Sequence, residues 1–153
     1  MNLKIKNIDL KAFIFNRLIE VFAIGLFLLS ILLSLAVISY TPDDPNFIFS
    51  EGQKVKNLLG FNGSVISDFF FQSVGLISYF IPITIIFSAI NIFFKKTPVI
   101  ILNNIFLIIC YCLIGTFFLS VFFTSPYFLY INGNGGFVGN FLNESIFLNL
   151  EFL

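Results

Sequence analysis

The sequence contains no histidine and no tryptophan, and only 10% of its 153 residues are charged. Without histidine, the chain alone builds no Ser–His or Cys–His nucleophile pair, no His-ligated metal site and no His proton shuttle. An average soluble domain is about 25% charged, so this chain has too little charge to cover a water-facing surface. Eight Lys+Arg balance eight Asp+Glu, which excludes a strongly basic nucleic-acid binder and an acidic disordered tail. Cys110 and Cys112 are the only cysteines and sit two residues apart in an apolar run. On a helix, positions i and i+2 face away from each other, so they share neither a metal nor a disulfide there and read as small packing residues. No GxxxxGK[ST] or GxGxxG occurs, so no Walker-type ATP site is expected. No cofactor, metal or catalytic residue is expected.

What is abundant is apolar surface: 58% of residues are hydrophobic, and 24 are Phe. The run 21–39 (VFAIGLFLLSILLSLAVIS) is uncharged, bracketed by Glu20 and Pro42-Asp43-Asp44-Pro45. A second run, 69–94, lies between Asp68 and Lys95-Lys96, and a third, 99–123, lies between Pro98 and Thr124-Ser125-Pro126. About 20 such residues cross a ~30 Å hydrocarbon core as a helix. In lipid every backbone polar group needs a partner, so each run is a helix or part of a closed barrel. Barrel strands are about 10 residues of alternating polarity, and these runs are long and do not alternate. The fold class expected is an all-α membrane protein with transmembrane helices at about 21–39, 69–94 and 99–123. A short C-terminal segment leads toward an absent fourth helix.

Lys and Arg in short loops set orientation. Lys4, Lys6, Lys11 and Arg17 precede the first run, Lys95 and Lys96 join the second to the third, and Lys54 and Lys56 lie in the loop between. This puts a basic N-terminus (1–20) and the 95–98 turn in the cytoplasm, and the 40–68 loop and 124–153 segment outside. Of the acids, Asp43, Asp44, Glu51, Glu144 and Glu151 fall in those outer segments. A cleaved leader is the alternative for the first run. Signal h-regions are about 7–15 residues with a small-x-small exit, whereas the nearest candidate, Ser34-Leu35-Ala36, sits inside the apolar stretch, so a retained signal anchor fits better.

In the second run Asp68, Gln72, Gly75, Tyr79 and Pro82 recur at i, i+4, i+7, i+11 and i+14, one stripe of a continuous helix. Small and amide-bearing residues favour close helix contacts in lipid, so this stripe is a candidate packing seam. Cys112, Thr116 and Ser120, and Ser30 with Ser34, repeat the small-xxx-small spacing. Asp68 would sit at a helix start, where the macrodipole favours an anion. Asn103 and Asn104 can reach the interface or bond another helix. A polar substrate path is the competing reading of the stripe, but it needs mid-bilayer charges and none are present. In the outer loop, Gly60 and Gly63 are expected to break any helix before Ser64 or Asn62 caps the next. Asn132-Gly133-Asn134-Gly135-Gly136 reads as a flexible turn. The segment after it is apolar enough to lie in an interface but too short and too interrupted to span. A chain ending in Leu150-Glu151-Phe152-Leu153 looks cut short.

Tyr40-Thr41-Pro42-Asp43-Asp44-Pro45 after a first span, then 57–68 (NLLGFNGSVISD) and Gln72-Ser73-Val74-Gly75 leading into a second, resemble the N-terminal four-helix membrane region of the FtsK/SpoIIIE DNA translocases. Gly135-Gly136-Phe137-Val138-Gly139 is similar to that family's Gly-rich turn before its fourth helix. The resemblance implies an inner-membrane anchor at the division septum, followed in the family by a linker and a hexameric ATP-driven DNA motor. It also implies a homo-oligomer and division-site membrane proteins as partners besides the lipid bilayer. The motor is absent from this chain, so no direct nucleic-acid or ATP binding is assigned to it. Tyr40, Pro42, Asp44, Pro45, Gly60, Gly63, Asp68, Gln72, Gly75, Gly135, Gly136 and Gly139 match family positions and are expected to be structural. A small stand-alone inner-membrane protein, such as a transporter subunit or channel-former, is the alternative function.

Overall fold

The computed structural model describes residues 10–46, 54–127 and 129–150, with side chains of the last helix described to Ile146. Lys4, Lys6, Glu51 and Glu151, which enter the charge reading, lie outside the described residues. The described residues form helices α1 (Leu10–Ile38), α2 (Gly60–Val74), α3 (Phe80–Lys95), α4 (Ile100–Phe122) and α5 (Gly136–Leu150), with a 3-10 segment at Gly75–Tyr79 between α2 and α3. No strand occurs among them. Three stretches, Leu10–Ile38, Gly60–Lys95 and Ile100–Phe122, are long and apolar enough to cross a membrane. The chain is an all-α membrane protein.

Element boundaries depart from the hydropathy reading in three places. First, α1 is already helical at Leu10, the first described residue, and so reaches well before the uncharged run 21–39, because charged residues are no obstacle to a helix that extends past the hydrocarbon. Its 29 residues are about 44 Å long, and Arg17 and Glu20 pair one turn apart on its surface.

Second, the 69–94 run is not one continuous helix. Gly75 adopts φ 59°, ψ −143°, a conformation open to glycine and costly for other residues. The 3-10 turn follows, and α3 starts afresh with Pro82 in its first turn, where a missing N–H removes no helix bond. The stripe from Asp68 to Pro82 is therefore divided between two helices and a turn. The first of these helices begins at Gly60, so Asp68 lies well inside α2 and not at a helix start. Gly63 and Ser64 also lie within α2, and neither Ser64 nor Asn62 caps it.

Third, the C-terminal segment expected only to approach a further helix is itself helical from Gly136. Its 15 described residues are about 22 Å long, and they pack along α4 and α2.

Most large apolar side chains of α1, α3 and α4 point outward, and many of the residues that point in are small. Ala23, Ser30, Ala36 and Val37 are buried on α1, Pro82, Ser88 and Ala89 on α3, and Cys112, Thr116 and Ser120 on α4. Lipid is as apolar as Leu, so close backbone approach through small residues, not hydrophobic burial, brings such helices together. Their hydroxyls bond the preceding turn, as in Ser30 to Phe27 O at 2.7 Å, Ser88 to Thr84 O at 2.6 Å and Thr116 to Cys112 O at 2.6 Å, and so enter the bundle satisfied. Two apolar clusters mark its ends. Ile19, Ala23 and Ile92 pack with Ile100 and Ile101 at one, and Val37, Phe71 and Leu129 pack with Tyr40 and Tyr79 at the other.

Candidate functional site

One group of polar side chains gathers at the end where α1 stops. Pro42 takes the second position of a turn closed by the Asp44 N–H to Thr41 O bond of 3.1 Å. This turns the Asp44 carboxylate inward, where it is 4% exposed. Its two oxygens accept the backbone N–H groups of Lys56 at 2.9 Å and Asn57 at 2.8 Å. Asn57 in turn donates from Nδ2 to Ala36 O at 2.8 Å, at the end of α1. Its Oδ1 accepts the Leu59 N–H at 3.1 Å, and its carbonyl accepts the Gly60 N–H at 2.9 Å. One asparagine thus sets the entry to α2, a task assigned in the sequence to Asn62 or Ser64. Gly63 is required beside it, because a Cβ there would overlap Asn57 Oδ1 and Leu59 Cβ. Ser64 donates to Pro45 O at 2.8 Å, pinning the loop to α2.

A second carboxylate continues the network. Tyr40 stacks on Phe71 with ring centroids 4.3 Å apart and donates from its hydroxyl to Asp68 Oδ1 at 3.1 Å. Asn46 donates to Asp68 Oδ2 at 3.0 Å and Gln72 to Oδ1 at 3.3 Å. Gln72 then accepts from Asn132 Nδ2 at 2.9 Å, and Asn140 of α5 donates to Asn132 O at 2.9 Å. Burial, and then the neighbouring Asp68 charge, push the Tyr40 phenol well above its ordinary range. Tyr79 meets Phe71 edge-on at 5.1 Å, so the aromatic contacts extend from Tyr40 to the 3-10 turn.

The break in the second span is closed from outside by the loop after α4. Asn134 is 2% exposed. It donates to Phe123 O and Ser125 O, both at 2.8 Å, accepts the Tyr127 N–H at 3.1 Å, and takes the Leu76 N–H on its own carbonyl at 2.9 Å. The Asn134 side chain thus holds the loop after α4 together, and its backbone carbonyl supplies Leu76 with the partner that the broken helix lacks. Gly75 and Gly136 face each other here. A Cβ on Gly75 would overlap the Asn134 carbonyl, and one on Gly136 would overlap Gly75 N and Ser73. Gly135 and Gly139 lie equally close to Thr116 O of α4, where Ser120 Oγ donates to Gly139 O at 2.9 Å.

Of the residues singled out in the sequence, Tyr40, Pro42, Asp44, Pro45, Gly60, Gly63, Asp68 and Gln72 come together in this cap. Gly75, Gly135, Gly136 and Gly139 form the glycine contacts beneath it, and Pro82 sits apart in the first turn of α3. Asn46, Asn57, Asn132 and Asn134 are working parts that the sequence did not single out. The signal for Asn57 was its place three residues before a glycine-led helix. At the opposite end, Glu20 joins Arg17 of α1 to Lys96, and Asn104 of α4 donates to Ser88 of α3. Lys96 ends α3 with φ 53° and its N–H on Ile92 O at 2.9 Å.

Asp44 and Asp68 are both held by N–H and O–H donors, and no nucleophile is set beside a base. The arrangement ties α1, α2, α5 and the loops between them together. Fold and site together define a multi-span helical membrane protein whose organised polar chemistry is a structural cap. The chain belongs to the family described as the 4TM region of DNA translocase FtsK/SpoIIIE, which it matches over residues 16–152. It is also 34% identical over 64 residues to the DNA translocase FtsK of Rickettsia prowazekii (strain Madrid E), a match covering 42% of this chain and 9% of that relative. The similarity thus spans a small part of that protein's length. No solved structure matches the chain.

Proposed function

We propose that this chain is the membrane-anchor portion of an FtsK-like DNA translocase, serving cell division and chromosome segregation by placement and by helix association, not by catalysis. The family match over residues 16–152 carries this reading. ATP hydrolysis and DNA movement belong to the motor of such a translocase and are not assigned to these residues. The anchor sits in the bacterial inner membrane with its N-terminus in the cytoplasm, because Lys11, Arg17, Lys95 and Lys96 cluster at one end of the spans. Its partners are the bilayer, further copies of itself and membrane proteins of the division site. A periplasm-active reporter is expected to be active when fused after Asn134 and inactive after Lys96, and a fluorescent fusion is expected to gather at midcell. Uniform membrane fluorescence would overturn the septal placement, and the reversed reporter pattern would overturn the orientation.

A further inference from the structure

The end of the bundle opposite the cap carries an apolar groove of about 220 Å³ between α1 and α3. Its floor is Ala23 and Ala89, each 1% exposed, and its walls are Ile24, Phe27, Ile90 and Phe93. Small alanines at the floor and large apolar side chains at the walls leave a trough with almost no polar lining. On α1, Arg17, Glu20, Ile24 and Phe27 fall at i, i+3, i+7 and i+10, a single stripe, so the charged residues stand at the mouth of the trough. Glu20 accepts from both Arg17 and Lys96. Lys96 Nζ also lies 4.7 Å from the ring centroid of Phe93, a wall residue. One carboxylate shared by two cations leaves positive charge in excess at the mouth, and Lys95 adds to it.

We propose that this groove binds an anionic glycerophospholipid, one acyl chain lying over Ala23 and Ala89 and the phosphate meeting Arg17 and Lys96. A flexible chain fits a narrow apolar trough that opens to the side, and a basic mouth at the helix ends is where an anionic headgroup sits. The proposal rests on the chain spanning a membrane and is independent of the translocase reading.

The test is native mass spectrometry of the full chain released from neutral detergent, with dioleoyl phosphatidylglycerol or dioleoyl phosphatidylcholine added. Phosphatidylglycerol is expected to be retained about fivefold over phosphatidylcholine, the effect of one basic residue at a membrane surface. Arg17→Gln should bring the two lipids close to parity. Ile90→Trp, which fills the trough from one wall, should reduce retention of both lipids, and Ile24→Trp should do the same from the other wall should the first variant misfold. Glycerol 3-phosphate without acyl chains should not compete. Equal retention of the two lipids by the unmodified chain overturns the proposal, and so does unchanged retention in a folded Trp variant. Full competition by glycerol 3-phosphate would mean a phosphate site without the groove. A dimer lost on filling the trough would assign the groove to a second copy of the chain; either result likewise overturns the lipid assignment.

Discussion

Asp44 receives the backbone N–H of Asn57 at 2.8 Å, and Asn57 passes the connection on to the last turn of α1 through Ala36 O. A buried carboxylate thereby fixes the loop that leads into α2, and Asn57 in turn takes the Leu59 and Gly60 N–H groups at the helix entry. The neighbouring Asp43 instead makes an exposed ion pair with Lys56 at 3.7 Å. Asp44→Ala should therefore destabilise the bundle by about 2–3 kcal/mol, by stranding two N–H groups that lose a charged acceptor. Asp43→Ala should stay within about 0.5 kcal/mol. Unfolding by SDS titration in mild detergent micelles separates the two, and equal effects would show that the Asp44 contacts contribute nothing special.

Gly75 and Gly25 make a second paired comparison. Gly75 has a positive φ and lies against the Asn134 peptide, whereas nothing comes within 4 Å of a Cβ built on Gly25 in α1. Gly75→Ala should cost at least about 1–3 kcal/mol from backbone strain alone, and expose the 123–135 loop to protease. Gly25→Ala should be neutral or stabilise by about 0.5–1 kcal/mol. The same SDS titration, with limited proteolysis, checks both.

Stability should fall at high pH through Tyr40. Its phenol is raised by burial first and by the Asp68 charge second, so the folded state holds the proton that the unfolded chain releases near pH 10. The contribution is fully present below about pH 10 and is lost as pH rises toward the raised folded value. Tyr40→Phe should lower stability by about 1 kcal/mol at neutral pH and flatten the decline above pH 10. Unfolding midpoints measured from pH 8 to 12 decide it, and parallel curves for the two proteins would reject the coupling.

The three spans were legible because hydropathy over about 20 residues integrates a quantity that lipid rewards directly. The break at Gly75 was not, since Leu76, Ile77, Tyr79 and Phe80 keep the run apolar while the backbone changes course. Likewise, an Asn-Gly-Asn-Gly-Gly string reads as loose chain until its neighbours are known. Asn134 becomes rigid only because Phe123, Ser125 and Leu76, distant in sequence, present bare backbone groups to it. The glycines at 75, 135, 136 and 139 could be picked out by resemblance, but which backbone each one touches is a tertiary fact. A change in charge marks where lipid ends, not where a helix does, so α1 continues through Glu20 and Arg17 beyond the uncharged run.

The ties at the two ends of the bundle differ in how much chain must be made before they close. Asp44 and Asn57 are 13 residues apart and Ser120 and Gly139 are 19, whereas Glu20 waits for Lys96, 76 residues downstream. A chain emerging from the ribosome closes short-range ties early and long-range ones late. The cap around Asp44 is thus ready once α2 has emerged, and it can hold the first two elements in register while α3 is still being inserted. The Ser120–Gly139 tie is local to the α4–α5 hairpin, whereas the Asn134 carbonyl joins that hairpin to Leu76, in a segment made much earlier.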